Sequence, residues 1–225
     1  CEVIKERLLE LLSHHQVKGT VILAEEGING TIAGSRAAID AVKEFLSADE
    51  RLAAAEYKES FAANNPFKRL KVKIKPEIVT MGVGAIDVVA HSGTYVGPQT
   101  WNQLISDPEV LVLDVRNDFE VRMGSFKNAH NPHTETFRDF PLYVKNNLSP
   151  NTHKKIAMSC TGGIRCEKAS AYMKMQGFSE VYHLKGGVLQ YIKDTPQHES
   201  LWQGDCFVFD ERIAVDNELK PITDG

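Results

Sequence analysis

Over the first fifteen residues, apolar side chains recur at helical intervals. Val3, Ile4, Leu8, Leu11 and Leu12 are separated by charged positions, and Gly19 follows closely enough to help stop the predicted helix. Two β-rich runs come next, Thr20–Ala24 and Gly30–Gly34. They flank the loop Glu25-Glu26-Gly27-Ile28-Asn29 and predict a hairpin. Ser35 stands where a helix N-cap belongs, ahead of Ile39, Val42, Phe45 and Leu46 on one helical face. Ala55–Ala62 and Arg69–Val79 then read as extended. The predicted order for residues 1–79 is α-β-β-α-β-β, an α+β sandwich with helices on one face of an antiparallel sheet.

Residues 80–98 are glycine-rich without sustained periodicity and read as a linker. Beyond them the rhythm alternates between helical stretches and short continuous apolar strands. A helix is predicted around Trp101–Ile105, a strand over Val110–Arg116, a helix over Thr136–Asn146 and a strand over Lys154–Cys160. A helix over Glu167–Met175 and a strand over Glu180–Leu184 follow. Continuous apolar strands alternating with helices predict a parallel sheet covered on both faces, with ligands gathered at the carboxyl ends of its strands. Cys160 falls at one such end and Asp114 to Arg116 at another. The predicted organisation is therefore a domain over 1–79, a linker over 80–98, an α/β domain over 99–200 and a C-terminal extension over 201–225.

Composition narrows the class without naming a function. At 225 residues, 42% hydrophobic, 25% charged and a net charge of −4, the chain is ordinary globular material with room for two cores. Its average field mildly repels polyanions, so a nucleic-acid partner would need a local basic patch. The four cysteines, Cys1, Cys160, Cys166 and Cys206, are too few and scattered for a disulfide scaffold, and a reducing cytoplasm is expected. No apolar run approaches membrane-spanning length, so no membrane partner is expected, nor is a stable protein partner. The start at Cys1 reads as part of a longer chain.

The chemistry concentrates at Met158–Lys168, MSCTGGIRCEK. Gly162 and Gly163 let the backbone curl so that amide N–H groups converge, and the following helix adds its positive N-terminal end. Arg165 adds a full charge. A thiol in such a cradle titrates below its free value of about 8.5, which makes Cys160 the candidate nucleophile or persulfide carrier at the lip of the sheet. The competing reading is a buried strand-end cysteine that only packs. Cys166 reads as either a resolving thiol or a packing residue. Asp114 and Arg116 are expected to brace the loop from the neighbouring strand, and Arg138 to lie near the same edge. His130 and His133 flank Pro132 with no third ligand, so no metal site is assigned.

Cys160-Thr161-Gly162-Gly163-Ile164-Arg165 resembles the active loop of rhodanese domains. Asp114–Asn131 resembles a second rhodanese signature, aspartate-x-arginine followed by glutamate and a glycine turn, and Val181–Ile192 resembles the closing strand and Gly-Gly turn. A related fold hosts Cys-x5-Arg phosphatases, but here only four residues separate Cys160 from Arg165, a tighter loop that suits sulfur better than phosphate. With LAEEGINGTIAG in the first domain and LWQGDCFVFDERIAV near the end, the whole chain resembles the bacterial tRNA uridine hydroxylases that carry a rhodanese domain. The fold this implies is an α+β ferredoxin-like (acylphosphatase-like) domain followed by a rhodanese-like parallel sheet with helices on both faces. The implied activity is oxygen-dependent hydroxylation of the wobble uridine of tRNA to 5-hydroxyuridine, dependent on Cys160, with molecular oxygen as co-substrate and no other cofactor identifiable. A sulfurtransferase passing sulfur through a Cys160 persulfide is the alternative. Such proteins usually continue into a cysteine-rich tail.

One feature of the residues themselves bears on tRNA. Within PFKRLKVKIK, the segment holding Lys68, Arg69, Lys71, Lys73 and Lys75, alternation places Lys71, Lys73 and Lys75 on one face of a strand and Leu70, Val72 and Ile74 on the other. Such a stripe can follow a phosphate backbone. It is equally the pattern of a solvated edge strand protected from aggregation. Phe67 could stack on a base or belong to the core.

Overall fold

The computed structural model describes residues 1–222, which form two compact units, residues 1–80 and 81–222. In the first unit the elements run α1 (Glu2–His14), β1 (Lys18–Ala24), β2 (Gly27–Ala33), α2 (Arg36–Ser47) and β3 (Leu70–Ile74). Ser35 caps α2 by accepting the Ala38 N–H at 3.2 Å. Leu8 and Leu12 of α1 meet Ala38, Val42 and Leu46 of α2 over Val21 of the sheet, while Val3 lies outside this core.

The sheet order is β2-β1-β3, with β1 and β2 antiparallel and β1 and β3 parallel. Two expectations are corrected here. The sheet is mixed, because the crossover through α2 returns the chain in the direction of β1. Ala55–Ala62 forms no strand: its Phe61 is 89% exposed, leaving no apolar face to pack. Glu59 instead ties the segment to α2 through Arg36 and Lys43.

The second unit runs α3 (Val88–His91), β4 (Thr94–Val96), α4 (Pro98–Ser106), β5 (Val110–Asp114), α5 (Asp118–Met123), β6 (Gly124–Phe126) and α6 (Phe140–Asn147). It continues with β7 (Lys155–Ser159), α7 (Ile164–Met175), β8 (Glu180–Leu184), α8 (Gly187–Asp194), β9 (Trp202–Gly204), β10 (Cys206–Phe207) and β11 (Ala214–Val215). Its four-stranded sheet, β4-β8-β7-β5, is parallel throughout and flanked by helices. Parallel strands require helical crossovers, which explains the continuous apolar runs in the sequence.

Both segments set apart as linker and extension take part in this unit. β4, inside the predicted linker, pairs with β8 at the sheet edge. β9, inside the predicted extension, pairs with β6. Trp202 is buried, and Phe126 receives Trp101, Tyr191 and Trp202 edge-on at 5.3, 4.7 and 5.2 Å. Tyr191 also closes a polar link that a tryptophan there could not make in full: its hydroxyl donates to Asn102 Oδ1 at 2.7 Å and accepts the Leu201 N–H at 2.8 Å. The last three residues of the predicted extension lie outside the described residues.

Candidate active site

Cys160 immediately follows β7, and the backbone then turns through Thr161, Gly162 and Gly163 into α7. Gly163 has φ +98°, a conformation open to glycine at little cost. Gly162, by contrast, has no positive φ, and a Cβ there would meet nothing, so the turn does not require a glycine at that position. The requirement falls instead on Gly187, at φ +71°. A Cβ on Gly187 would lie 2.5 Å from the Cys160 carbonyl oxygen and 2.7 Å from the Gly163 nitrogen. That close approach lets the start of α8 hold the loop: Val188 N–H donates to Cys160 O at 2.9 Å and Leu189 N–H to Thr161 O at 3.1 Å.

The Cys160 side chain is fully buried, not poised at an open lip as expected from the sequence. Its surroundings are nevertheless polar. The Gly163 N–H donates to Cys160 Sγ at 3.1 Å. Burial raises the pKa of Cys160, but the influence of Cys166, the Arg165 charge and the Gly163 amide outweigh it and bring the value down to about 6. Cys166 moves the other way, well above an ordinary thiol, because burial and the adjacent Cys160 sulfur both disfavour its ionisation. At neutral pH the arrangement is a Cys160 thiolate with Cys166 held as a neutral thiol. A packing cysteine in apolar surroundings would show the opposite shift.

Arg165, only 7% exposed, is fixed from α5. Glu120, fully buried, accepts from Arg165 at 2.6 and 2.7 Å and from the Thr161 hydroxyl at 3.2 Å. Its Oε2 also accepts the Asn117 N–H at 3.1 Å, at the start of α5. Burial opposes the Arg165 charge, and the Glu120 carboxylate more than restores it. Glu120 is thus the residue that braces the loop, a role not among the expectations drawn from the sequence. The available signal was its place in the Asp-x-Arg…Glu pattern and the N-capping position of Asn117, three residues earlier.

Asp114 and Arg116 serve a different neighbour from the one expected. They form a fully buried pair, Arg116 donating to Asp114 at 2.7 and 2.9 Å. Arg116 also donates to the Gly124 carbonyl, and the Ser125 hydroxyl donates to Asp114 at 2.7 Å. The pair therefore locks the turn from α5 into β6, because both oxygens of Asp114 are already engaged there. Its link to the active loop is indirect, through Val115 N–H donating to Ser159 O at 2.9 Å. Arg138 lies exposed in a 3-10 turn, Phe137–Asp139, and does not figure among the groups that hold the loop. Ile164 opens α7, half-buried. His133 is committed to Asp118 at 2.8 Å, and His130 is exposed.

The solvent side of Arg165 carries Phe209, 62% exposed, with its ring 5.7 Å from the guanidinium carbon. Phe207 packs edge-to-face on both Phe209 and Phe119 at 5.0 Å. The segment after β9 thus forms part of the wall of the site. Cys206, next to Phe207, is buried and its thiol is pushed up to about 12, chiefly by burial.

In the first unit, Lys68, Arg69, Lys71, Lys73 and Lys75 are all exposed, and Leu70, Val72 and Ile74 are half-buried. β3 is an edge strand, and Lys71, Lys73 and Lys75 lie on the face opposite Leu70, Val72 and Ile74. Phe67 is half-buried. Replacing Glu120 by alanine removes one partner of a buried ion pair and leaves Arg165 charged in a dry place. The expected loss is about 3–5 kcal/mol of second-unit stability in chemical denaturation, and a loss within experimental error would contradict the assigned bracing.

Comparison with known proteins agrees with this division of the chain. Residues 1–78 match the family profile described as the UPF0176 acylphosphatase like domain, and residues 98–194 match the rhodanese-like domain. Among solved structures, the chain is similar to the rhodanese-like domain of an Anabaena sp. protein, at 19% identity over 49% of this chain and 78% of that one, with a TM-score of 0.40. It is similar to a rhodanese-related protein from Thermoplasma volcanium at 22% identity, over 45% of this chain and 92% of that one, with a TM-score of 0.36. The polysulfide-sulfur transferase of Wolinella succinogenes is similar at 23% identity, over 48% and 80% of the respective chains, with a TM-score of 0.38. The chain has the architecture of the UPF0176 family, an acylphosphatase-like N-terminal domain followed by a rhodanese domain.

Proposed function

We propose that the protein is a tRNA-modifying enzyme that hydroxylates the wobble uridine to 5-hydroxyuridine, with Cys160 as its nucleophile and molecular oxygen as co-substrate. The observation that carries the reading is a thiolate, held near pKa 6, in a chain that pairs a rhodanese domain with a UPF0176 N-terminal domain. Addition of Cys160 Sγ to C6 of the uracil would raise the electron density at C5, where oxygen is taken up. Elimination of the thiolate afterwards restores the ring double bond. One oxygen atom enters the base, and a two-electron reductant takes the other to water. An anticodon base is already unstacked or cheap to extrude, which suits a substrate that must enter an enclosed site. The exposed lysines of β3 supply affinity for phosphates in this reading.

A second reading is favoured by the sulfur's own surroundings. Amide and guanidinium groups around Cys160 stabilise a persulfide anion as well as a thiolate, so transfer of a sulfane sulfur through Cys160 is chemically direct. In either case the shell around Cys160 must open, since its sulfur is enclosed.

Two measurements test the leading reading. Mass spectrometry of digested tRNA, from cells lacking the protein and complemented with wild type or Cys160→Ser, is expected to show 5-hydroxyuridine restored only by wild type. Unchanged modification in the deletion would reject the hydroxylase, and thiosulfate-to-cyanide sulfur transfer by the same protein would then select the second reading. Lys71→Ala with Lys73→Ala is expected to weaken tRNA binding and reduce the slope of log affinity against log salt by about 1–2. An unmoved slope would return β3 to the status of a protected edge.

A further inference from the structure

Phe209 stands apart from the other side chains around the site because its ring is held in solvent on a firm support. It is 62% exposed, yet its chain neighbours are buried, Val208 at 5% and the Asp210 side chain at 3%. Hydrogen bonds close the turn between β10 and β11 that carries it. Val208 N–H donates to Ile213 O at 2.8 Å and Ile213 N–H to Asp210 O at 3.1 Å, while Arg212 donates to Asp210 Oδ1 from its backbone at 3.0 Å and its Nε at 2.8 Å. The Phe209 ring lies against the Arg165 guanidinium at 5.7 Å. Phe207 stands perpendicular to it at 5.0 Å and meets Phe119 of α5, 47% exposed, in the same way. Three phenylalanines thus make one aromatic surface on the solvent side of Arg165. Burial favours the opposite placement for such rings, and a turn that only joined two strands would have no use for them.

We propose that Phe209, backed by Phe207 and Phe119, is the stacking platform for the pyrimidine base of the substrate nucleotide, holding that base on the solvent side of Arg165 as it approaches the Cys160 site. The inference rests on the hydroxylase reading above and adds the group that recognises the uracil. Charge selects an uncharged ligand. Arg165 is matched by Glu120 and Arg212 by Asp210, so an anionic Cys160 leaves this group of charges negative in sum. Such a balance disfavours a small anion and is indifferent to a neutral heterocycle. The rings offer what an uncharged base needs, a flat apolar surface, and unpaired bases are held by proteins through stacking of this kind. The hydrogen bonds across residues 208–213 hold the ring in one place, which fixes the plane of a stacked base relative to Arg165 and to the loop behind it. An apolar segment of a protein is the other ligand these rings could take, and it would be met by leucine as well as by phenylalanine.

The test measures the affinity of the full chain for two RNA hairpins that reproduce an anticodon stem-loop, one with uridine at the wobble position and one abasic there. Wild type is expected to prefer the uridine hairpin roughly tenfold, the worth of one base stacked on an aromatic side chain. Phe209→Ala and Phe209→Leu are expected to lose that preference while binding the abasic hairpin as wild type does, and Phe209→Tyr is expected to keep it. Equal binding of the two hairpins by wild type, or a Phe209→Ala variant that weakens both alike, would overturn the platform. So would a Phe209→Leu variant that keeps the preference, which would return the ring to a general apolar contact. These outcomes leave the hydroxylase reading standing as long as 5-hydroxyuridine disappears from the tRNA of cells lacking the protein. Unchanged modification in those cells would overturn that reading, and the platform with it.

Discussion

A negative sulfur in a dry interior exists only if donors replace the water it has lost, and the site is built around that constraint. Burial alone would keep Cys160 protonated at neutral pH. The influence of Cys166, the Arg165 charge and the Gly163 amide reverse the balance. Each depends on something further out. The amide is aimed by the positive φ of Gly163, the loop is held by the close approach of Gly187, and the guanidinium is fixed by two hydrogen bonds to Glu120. A defect in any of these supports leaves the sulfur enclosed with fewer donors, which favours the neutral thiol.

In the proposed reading, the division of labour between the units follows from where charge is concentrated. The net charge is −4, so attraction to a polyanion cannot come from the molecule as a whole. It has to come from a local feature such as β3, whose lysines alternate with half-buried apolar residues on an edge strand. The reactive sulfur lies in the second unit, behind a wall that includes the exposed ring of Phe209 over Arg165. Enclosure of this kind protects a low-pKa thiol from adventitious oxidation and requires the wall to move when a substrate arrives.

Much of the fold was readable because strong local signals coincided with the tertiary structure. Ser35 caps α2, the hairpin of β1 and β2 forms, and the continuous apolar runs over Val110–Asp114 and Lys155–Ser159 are parallel strands. What failed to read were properties decided by distant partners. Thr94–Val96 looked like linker because three residues carry no period, and its strand identity comes from β8. Residues after Leu201 looked appended because the role of Trp202 depends on Phe126 in space. At the site, the Cys-to-Arg loop was legible, but of the two glycines expected to curl the backbone only Gly163 has a positive φ. Glu120 was hidden because a carboxylate inside a helix reads as solvated until its arginine is known.

The central claim, that Cys160 is an anion at neutral pH, is tested most directly by titrating the ultraviolet absorbance of its thiolate in the folded, reduced protein, with Cys160→Ser as the blank. The account predicts a difference titration with its midpoint at about pH 6. A midpoint at or above the ordinary thiol value of about 8.5 would contradict it and leave Cys160 as a packing residue.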